Sequence, residues 1–167
     1  MPKTKFNTYV SYKGPMLCID PGINTGYACF PQDDAVPFCT NVIKPSHPNW
    51  DIAKIVHFTI LRDVFSRNDH KIYKKVYIER PKYFSSHIGQ TAADTDALFK
   101  LCFIYGGTYA ILSSLGYEIV EIPVISWKGQ MTKLMVDRRI ARAINKEYPN
   151  HVSDAVGIGL YVRGLLT

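Results

Sequence analysis

The sequence is short of acid. Fourteen Asp and Glu face 20 Lys and Arg, a formal net charge of +6 with a pI near 9.1. That balance suits a polyanionic partner, either nucleic acid or an anionic membrane surface, and says nothing about fold. Long apolar runs are also missing. None approaches the roughly 18 residues of a membrane span, so no membrane partner is expected. The opening stretch, MPKTKFNTYVSYKGP, is basic but lacks the apolar core of a secretory signal. The four cysteines, Cys18, Cys29, Cys39 and Cys102, form no CxxC pair, which argues against a zinc ribbon. Cys18 and Cys102 lie in apolar runs and read as small core residues. A reducing, cytoplasmic setting is the expectation. No repeat, low-complexity tract or linker interrupts the chain.

What is present is an ordered chain. Apolar residues make up 47% of 167, and 18.9 kDa fits one domain over 16–167 behind a basic arm at 1–15. A chain of about this size buries roughly 68–70% of its unfolded surface, enough for a core without staples. MLCID (16–20) reads as a buried strand closed by the turn signal Pro21-Gly22. YACF (27–30) and FCTNVI (38–43) read as strands joined through the polar, proline-bounded PQDDAVP, a hairpin or meander. From Asn49, a plausible N-cap, the residues Ile52, Ile55, Val56, Ile60, Val64 and Phe65 recur at helical spacing as far as Ser66. KKVYIE (74–79) is a strand stopped by Pro81, and KYFSSHIGQ (82–90) a loop.

A long helix is expected over 92–115, with Leu98, Leu101, Cys102, Tyr105, Ile111, Leu112 and Leu115 as its apolar stripe and Gly116 as its C′ residue. Gly106-Gly107 within it cost about 2 kcal/mol against two alanines and point to close approach of another helix or a partner chain. YEIVEIP (117–123) is a fifth strand, and helices at about 132–147 and 151–164 are split by Pro149. The order β-β-β-α-β-α-β-α-α implies an α/β fold: a five-stranded mixed sheet, three antiparallel strands then parallel ones, with helices on both faces. Ligands in such sheets gather where strands end and the order reverses.

Three features could carry chemistry. Asp20 ends a buried strand and is followed by PGINTG; its stem is held by core while its head is free, the arrangement of a rigid metal ligand. The glycines permit a backbone turn close to a phosphate. An ordinary Asp-Pro-Gly turn would look the same. Glu79 ends an apolar strand in VYIERP, and alone it could be a solvated rim residue. Two carboxylates at neighbouring strand ends repel unless a cation sits between them. His151 and Asp154 are three apart on one face of a helix that is otherwise nearly all apolar. Dipole stabilisation of Asp154 and a capping or surface role for His151 are the plain alternatives.

Taken together, Asp20 in IDPGINTG, Glu79 in YIERP and the His151-x-x-Asp154 helix resemble the active site of RuvC-type Holliday junction resolvases, members of the RNase H-like (retroviral integrase) superfamily. The resemblance covers about residues 16–164. Many members carry Asp where this chain has His151, and a histidine variant also occurs. The small size and the Trp127-Lys128-Gly129-Gln130 segment look most like bacteriophage members, whose setting is the host-cell cytoplasm. The resemblance implies two-metal phosphodiester hydrolysis with two Mg²⁺ per site, or Mn²⁺ in their place, and no small-molecule cofactor. It implies that Asp20 bridges the ions, that Glu79 and Asp154 each hold one side, and that His151 either ligates a metal or lies near the scissile phosphate. It further implies a homodimer on branched DNA, two sites making paired symmetric nicks in a four-way junction. The long helix with its Gly106-Gly107 pair is the candidate interface.

Basic residues cluster twice. Residues 66–82 hold six cations against two acids, and 124–146 hold six against one. Among them Lys82, Lys128, Lys133, Arg138, Arg139 and Arg142 read as phosphate contacts, with Lys128 and Lys133 nearest the site. A solvated helix face is the alternative for each singly. Tyr83 and Phe84, on the loop after Glu79, can stack on unpaired bases or anchor the loop by packing. Four rivals remain. A ribonuclease H-like, RNA-processing or flap nuclease of the same fold would share the metals. DPGINTG also looks like the phosphate turn of sugar-kinase and actin-like ATPases, which need two such domains. An inactive nucleic-acid-binding module would need no acidic set. Glu121, at the end of the fifth strand, could replace one ligand.

Overall fold

The computed structural model describes residues 12–81 and 96–166. Five strands form one mixed sheet in the order β3-β2-β1-β4-β5: β1 (Met16–Asp20), β2 (Thr25–Phe30), β3 (Cys39–Ile43), β4 (Lys75–Arg80) and β5 (Glu118–Pro123). β1, β2 and β3 pair antiparallel; β4 and β5 run parallel to β1. The helices are α1 (Trp50–Ser66), α2 (Ala97–Ser114), the single turn α3 (Val124–Trp127), α4 (Lys133–Ile144) and α5 (Asn150–Val162). The mixed sheet and its element order are those expected. Two short pieces were not foreseen, α3 and a 3₁₀ turn at Asn68–His70.

The central strands are apolar on both faces because both are covered. Met16, Cys18, Ala28, Phe30, Tyr77 and Ile122 pack against α5 and α4. Leu17, Ile19, Tyr27, Cys29, Val76 and Ile78 pack against α1 and α2 on the other face. Strand alternation therefore puts Asp20 and Glu79, two residues beyond Cys18 and Tyr77, on the α5 side. The Asn49 side chain accepts from the amides of Asp51 and Ile52, as a cap should. Gly116, at φ +85°, closes α2 in the left-handed conformation that favours glycine.

Three packing expectations are corrected. The face of α1 that is buried is Ala53, His57, Leu61 and Phe65, whereas Ile52 and Ile55 are exposed. Cys102 is exposed on α2, whose buried residues are Ile104, Thr108 and Leu112. Of the glycine pair, only Gly107 faces a neighbour: a Cβ there would overlap the Phe58 ring of α1, while Gly106 has open space. In each case apolar residues lie on more than one side of the helix, so the pattern does not say which side is covered. α4 is also shorter than expected, ending at Asn145 in the left-handed region.

Residues 12–14 belong to the fold. The Arg163 guanidinium, buried at the end of α5, donates to the carbonyls of Tyr12, Lys13, Gly14 and Pro31. It thereby ties the entry of β1 to the exit of the last helix.

His57 is fully buried, its Nε2 3.3 Å from Thr25 Oγ1. Burial pushes its pKa down to about 4, against a smaller opposing pull from the Ile23 backbone. Below about pH 6.5 the unfolded chain takes up a proton that the folded one refuses, so stability falls as pH drops towards 4. The expected loss is about 3 kcal/mol. Urea unfolding of wild type and His57→Gln at pH 7 and pH 4.5 checks this: the variant should lack that share of the slope. Equal slopes would contradict it.

Candidate active site

β1 and β4 are neighbours in register, Ile19 opposite Ile78, so Asp20 and Glu79 stand side by side one step further on. Both lie at the carboxyl ends of parallel strands, where ligands gather in such sheets, and the turn after β1 follows directly. That turn is closed by Thr25, whose Oγ1 donates to the Gly22 carbonyl at 2.6 Å and accepts from the Gly22 amide at 3.3 Å. The next residue, Gly26, pairs with Asp20 across β1 and β2. A Cβ at Gly26 would overlap the carbonyl of His151. The glycine therefore lets the N-terminus of α5 lie directly on β2, which brings His151 and Asp154 to Asp20.

The four residues expected to form the site are thus gathered by three elements. His151 Nδ1 is 3.8 Å from Asp20 Oδ2. Trp127 Nε1 donates to Glu79 Oε2 at 2.8 Å. Lys133 Nζ is 2.7 Å from Asp154 Oδ1, and Lys128 Nζ is 3.5 Å from Asp154 Oδ2. The side chains of Asp20 and Asp154 are each only 15% exposed, so water screens their charges poorly.

The electrostatics follow from this crowding. Burial raises the Asp20 carboxyl above its usual range; Asp154 adds to the rise, while His151 and Lys128 oppose it. Burial, reinforced by Asp20 and Asp154, pushes Glu79 up to about 8, with the Trp127 hydrogen bond and Lys128 pulling the other way. Glu79 therefore keeps its proton at neutral pH unless a cation joins it. Asp20 in turn raises the His151 imidazole. Such a set, in which burial and neighbouring carboxylates disfavour the charges of Asp20 and Glu79, is the hard-oxygen donor chemistry a divalent cation relieves. Among the described residues, no three acidic, histidine or cysteine side chains already converge on a point where an ion could be held.

The other expected residues separate. Lys128 and Lys133 reach the site, but as partners of Asp154. Arg138 and Arg142, one turn apart on α4, border a hollow of about 530 Å³ together with Asp137 and Tyr148. Arg139 faces a different hollow, beside Lys128 and Tyr161. Lys82, Tyr83 and Phe84 lie outside the described residues. Glu121 is on the opposite face of β5, where it accepts from Tyr105 of α2 and stands 3.8 Å from Arg80. It is not part of the cluster. Two residues escaped the sequence reading: Trp127 as the partner of Glu79, and Gly26 as the seat of α5.

No protein-family model matches the chain, and no characterised sequence does. Solved structures do. A Thermus thermophilus RuvC in complex with a Holliday junction substrate superposes with a TM-score of 0.66 at 17% identity, over 90% of this chain and 93% of that one. A second Thermus thermophilus RuvC structure gives 0.64 at the same identity and coverage. The chain has the RuvC-type fold. That fold, RNase H-like with its sheet order β3-β2-β1-β4-β5, extends over nearly the whole described chain. At 17% identity the likeness to RuvC is one of fold, and residue roles rest on the geometry above.

Proposed function

We propose that this chain is a cation-dependent endonuclease that resolves four-way DNA junctions by paired nicks. The observation that carries the reading is the juxtaposition of Asp20 and Glu79 at parallel strand ends with the His151–Asp154 turn of α5 seated on them. Asp20, Glu79 and Asp154 would hold Mg²⁺ or Mn²⁺, two ions per site. The ions would supply an activated water and stabilise the departing oxygen. Asp20, central to the cluster, would be the ligand shared by the ions. Glu79, oriented by the hydrogen bond from Trp127 Nε1, would give up its proton to serve as a ligand. His151 presents its imidazole beside Asp20, either to an ion or to the scissile phosphate. The net charge of +6, with Lys128, Lys133, Arg138, Arg139 and Arg142 on the α3–α4 side, supports a nucleic-acid substrate. Lys82 is proposed to contact a phosphate, and Tyr83 and Phe84 to stack on bases at the junction centre.

A second copy completes the enzyme in this reading, because a two-fold junction takes two sites. α2 supports that role. Contrary to the expectation that no run reaches the length of a membrane span, it is 18 residues long and apolar enough by length and composition to cross one, yet it packs on α1 and β5 of a folded domain. Its outward Phe99 and Phe103 are 65% and 41% exposed. On α1, Phe103 meets Trp50 and Phe58.

The test is cleavage of a mobile four-way junction, a matched linear duplex, a flap and an RNA–DNA hybrid, each with Mg²⁺, Mn²⁺ or EDTA. Metal-dependent cutting of the junction in preference to the others is expected. Cutting of the hybrid alone would make the chain a ribonuclease of the same fold, and equal cutting of flaps a general branch nuclease. Sedimentation equilibrium should give a dimer, and Phe103→Glu a monomer.

A further inference from the structure

Both carboxylate oxygens of Asp154 already face an ammonium group. Lys133 stands 2.7 Å from Oδ1 and Lys128 3.5 Å from Oδ2. Lys133 is not a free surface lysine. It also donates to the Asn150 carbonyl at 2.9 Å and stands 3.1 Å from Asp137 Oδ1, and Asp137 in turn accepts from Ser153 Oγ. Two oxygens, one on α5 and one on α4, thus hold Nζ against a carboxylate whose side chain is only 15% exposed. A lysine fixed in this way pairs more strongly than one on an open surface. The pairing also fits the failure of the acidic side chains to converge on one point among the described residues. The cluster is balanced, but by lysines.

We propose that Lys133, seconded by Lys128, is a built-in counter-ion that competes with a divalent cation for Asp154. This rests on the reading of Asp20, Glu79 and Asp154 as the cation site. Loading then requires Lys133 to release Asp154, and the freed ammonium is left to pair with a backbone phosphate. Any phosphate that takes the lysine favours the cation, and the cation favours the phosphate by the same factor. The counter-ion keeps the bare site from collapsing or trapping stray cations, at the expense of weak metal affinity without DNA.

The experiment is Mn²⁺ titration of the full chain without DNA, with free ion counted by electron paramagnetic resonance. Lys133→Met should bind Mn²⁺ about three- to tenfold more tightly than wild type. Lys146→Met makes the same change of net charge at a lysine that sits over the Tyr148 ring, so it should leave affinity unchanged. Adding Asp154→Asn to Lys133→Met should remove the gain. If circular dichroism shows Lys133→Met unfolded, Lys128→Met should give the same sign with a smaller change. Equal tightening by Lys146→Met would reduce the effect to bulk charge and overturn the proposal. So would wild-type binding that Lys133→Met leaves equal or weakens, with the cation site itself intact. No Mn²⁺ binding by wild type or either lysine variant would overturn the cation site and the counter-ion together.

Discussion

Asp20→Asn should abolish junction cleavage, by about a thousandfold or more, while junction binding stays within a few-fold of wild type. The rate loss corresponds to about 4 kcal/mol of transition-state stabilisation, the scale on which a shared metal ligand acts. Asn keeps the shape of the side chain and removes its charge. Binding depends instead on the lysines and arginines around the site, which the substitution leaves in place. Stability should not suffer. Asp20 is a buried carboxylate whose charged form is disfavoured by burial and by Asp154, so removing that charge relieves repulsion. Single-turnover cleavage, a gel-shift titration and a thermal melt on one preparation separate these effects. Cleavage within tenfold of wild type would contradict a central role for Asp20. Loss of binding in parallel with cleavage would make the residue part of the DNA surface.

Gly26→Ala should be the most damaging single methyl in the molecule. The added carbon would overlap the His151 carbonyl and crowd the Val152 amide, both backbone atoms that cannot rotate away. Either α5 lifts off β2 or the β1–β2 pair opens. The expected loss of stability is about 3 kcal/mol, and the protein that remains folded should cleave at least about a hundredfold more slowly because His151 and Asp154 have moved from Asp20. Gly159→Ala is the comparison. Its methyl would overlap the Phe30 ring, at the far end of the same helix–strand contact. It should cost stability as well, but its folded fraction should cleave normally. Urea unfolding with activity normalised to folded protein distinguishes the two. Normal activity per folded Gly26→Ala molecule would show that α5 does not need that seat.

The sheet was legible because its signals are local. A run such as MLCID, bounded by Gly14-Pro15 and Pro21-Gly22, has few ways to fold, and the observed strand is Met16–Asp20. Asn49 and Gly116 announced a helix start and a helix end by chemistry that acts within four residues. Helix faces were harder. Ile52, Ile55 and Cys102 are apolar and sit at helical spacing, yet face outward; an apolar stripe does not say whether its partner is the sheet or a second chain. In the site, the carboxylates could be found from their strand-end positions. The lysine contacts could not, because Lys133 and Asp154 are 21 residues apart and meet only through the packing of α4 on α5. Likewise the pairing of Trp127 with Glu79 spans 48 residues and depends on the single turn after β5. Gly26 was visible as a turn glycine, but its contact is with a helix that lies 125 residues later.

Paired cutting of a four-way junction by this acidic cluster is the core of the proposed function. It is tested most directly on a supercoiled plasmid that extrudes one cruciform, the products being followed through time with Mg²⁺. Paired nicking by a two-site enzyme should convert supercoiled DNA straight to linear DNA, with the two cuts symmetrically placed across the cruciform base and both lost in EDTA or with Asp20→Asn. Accumulation of nicked circles that turn linear only later, or cutting unaffected by Asp20→Asn, would contradict the account.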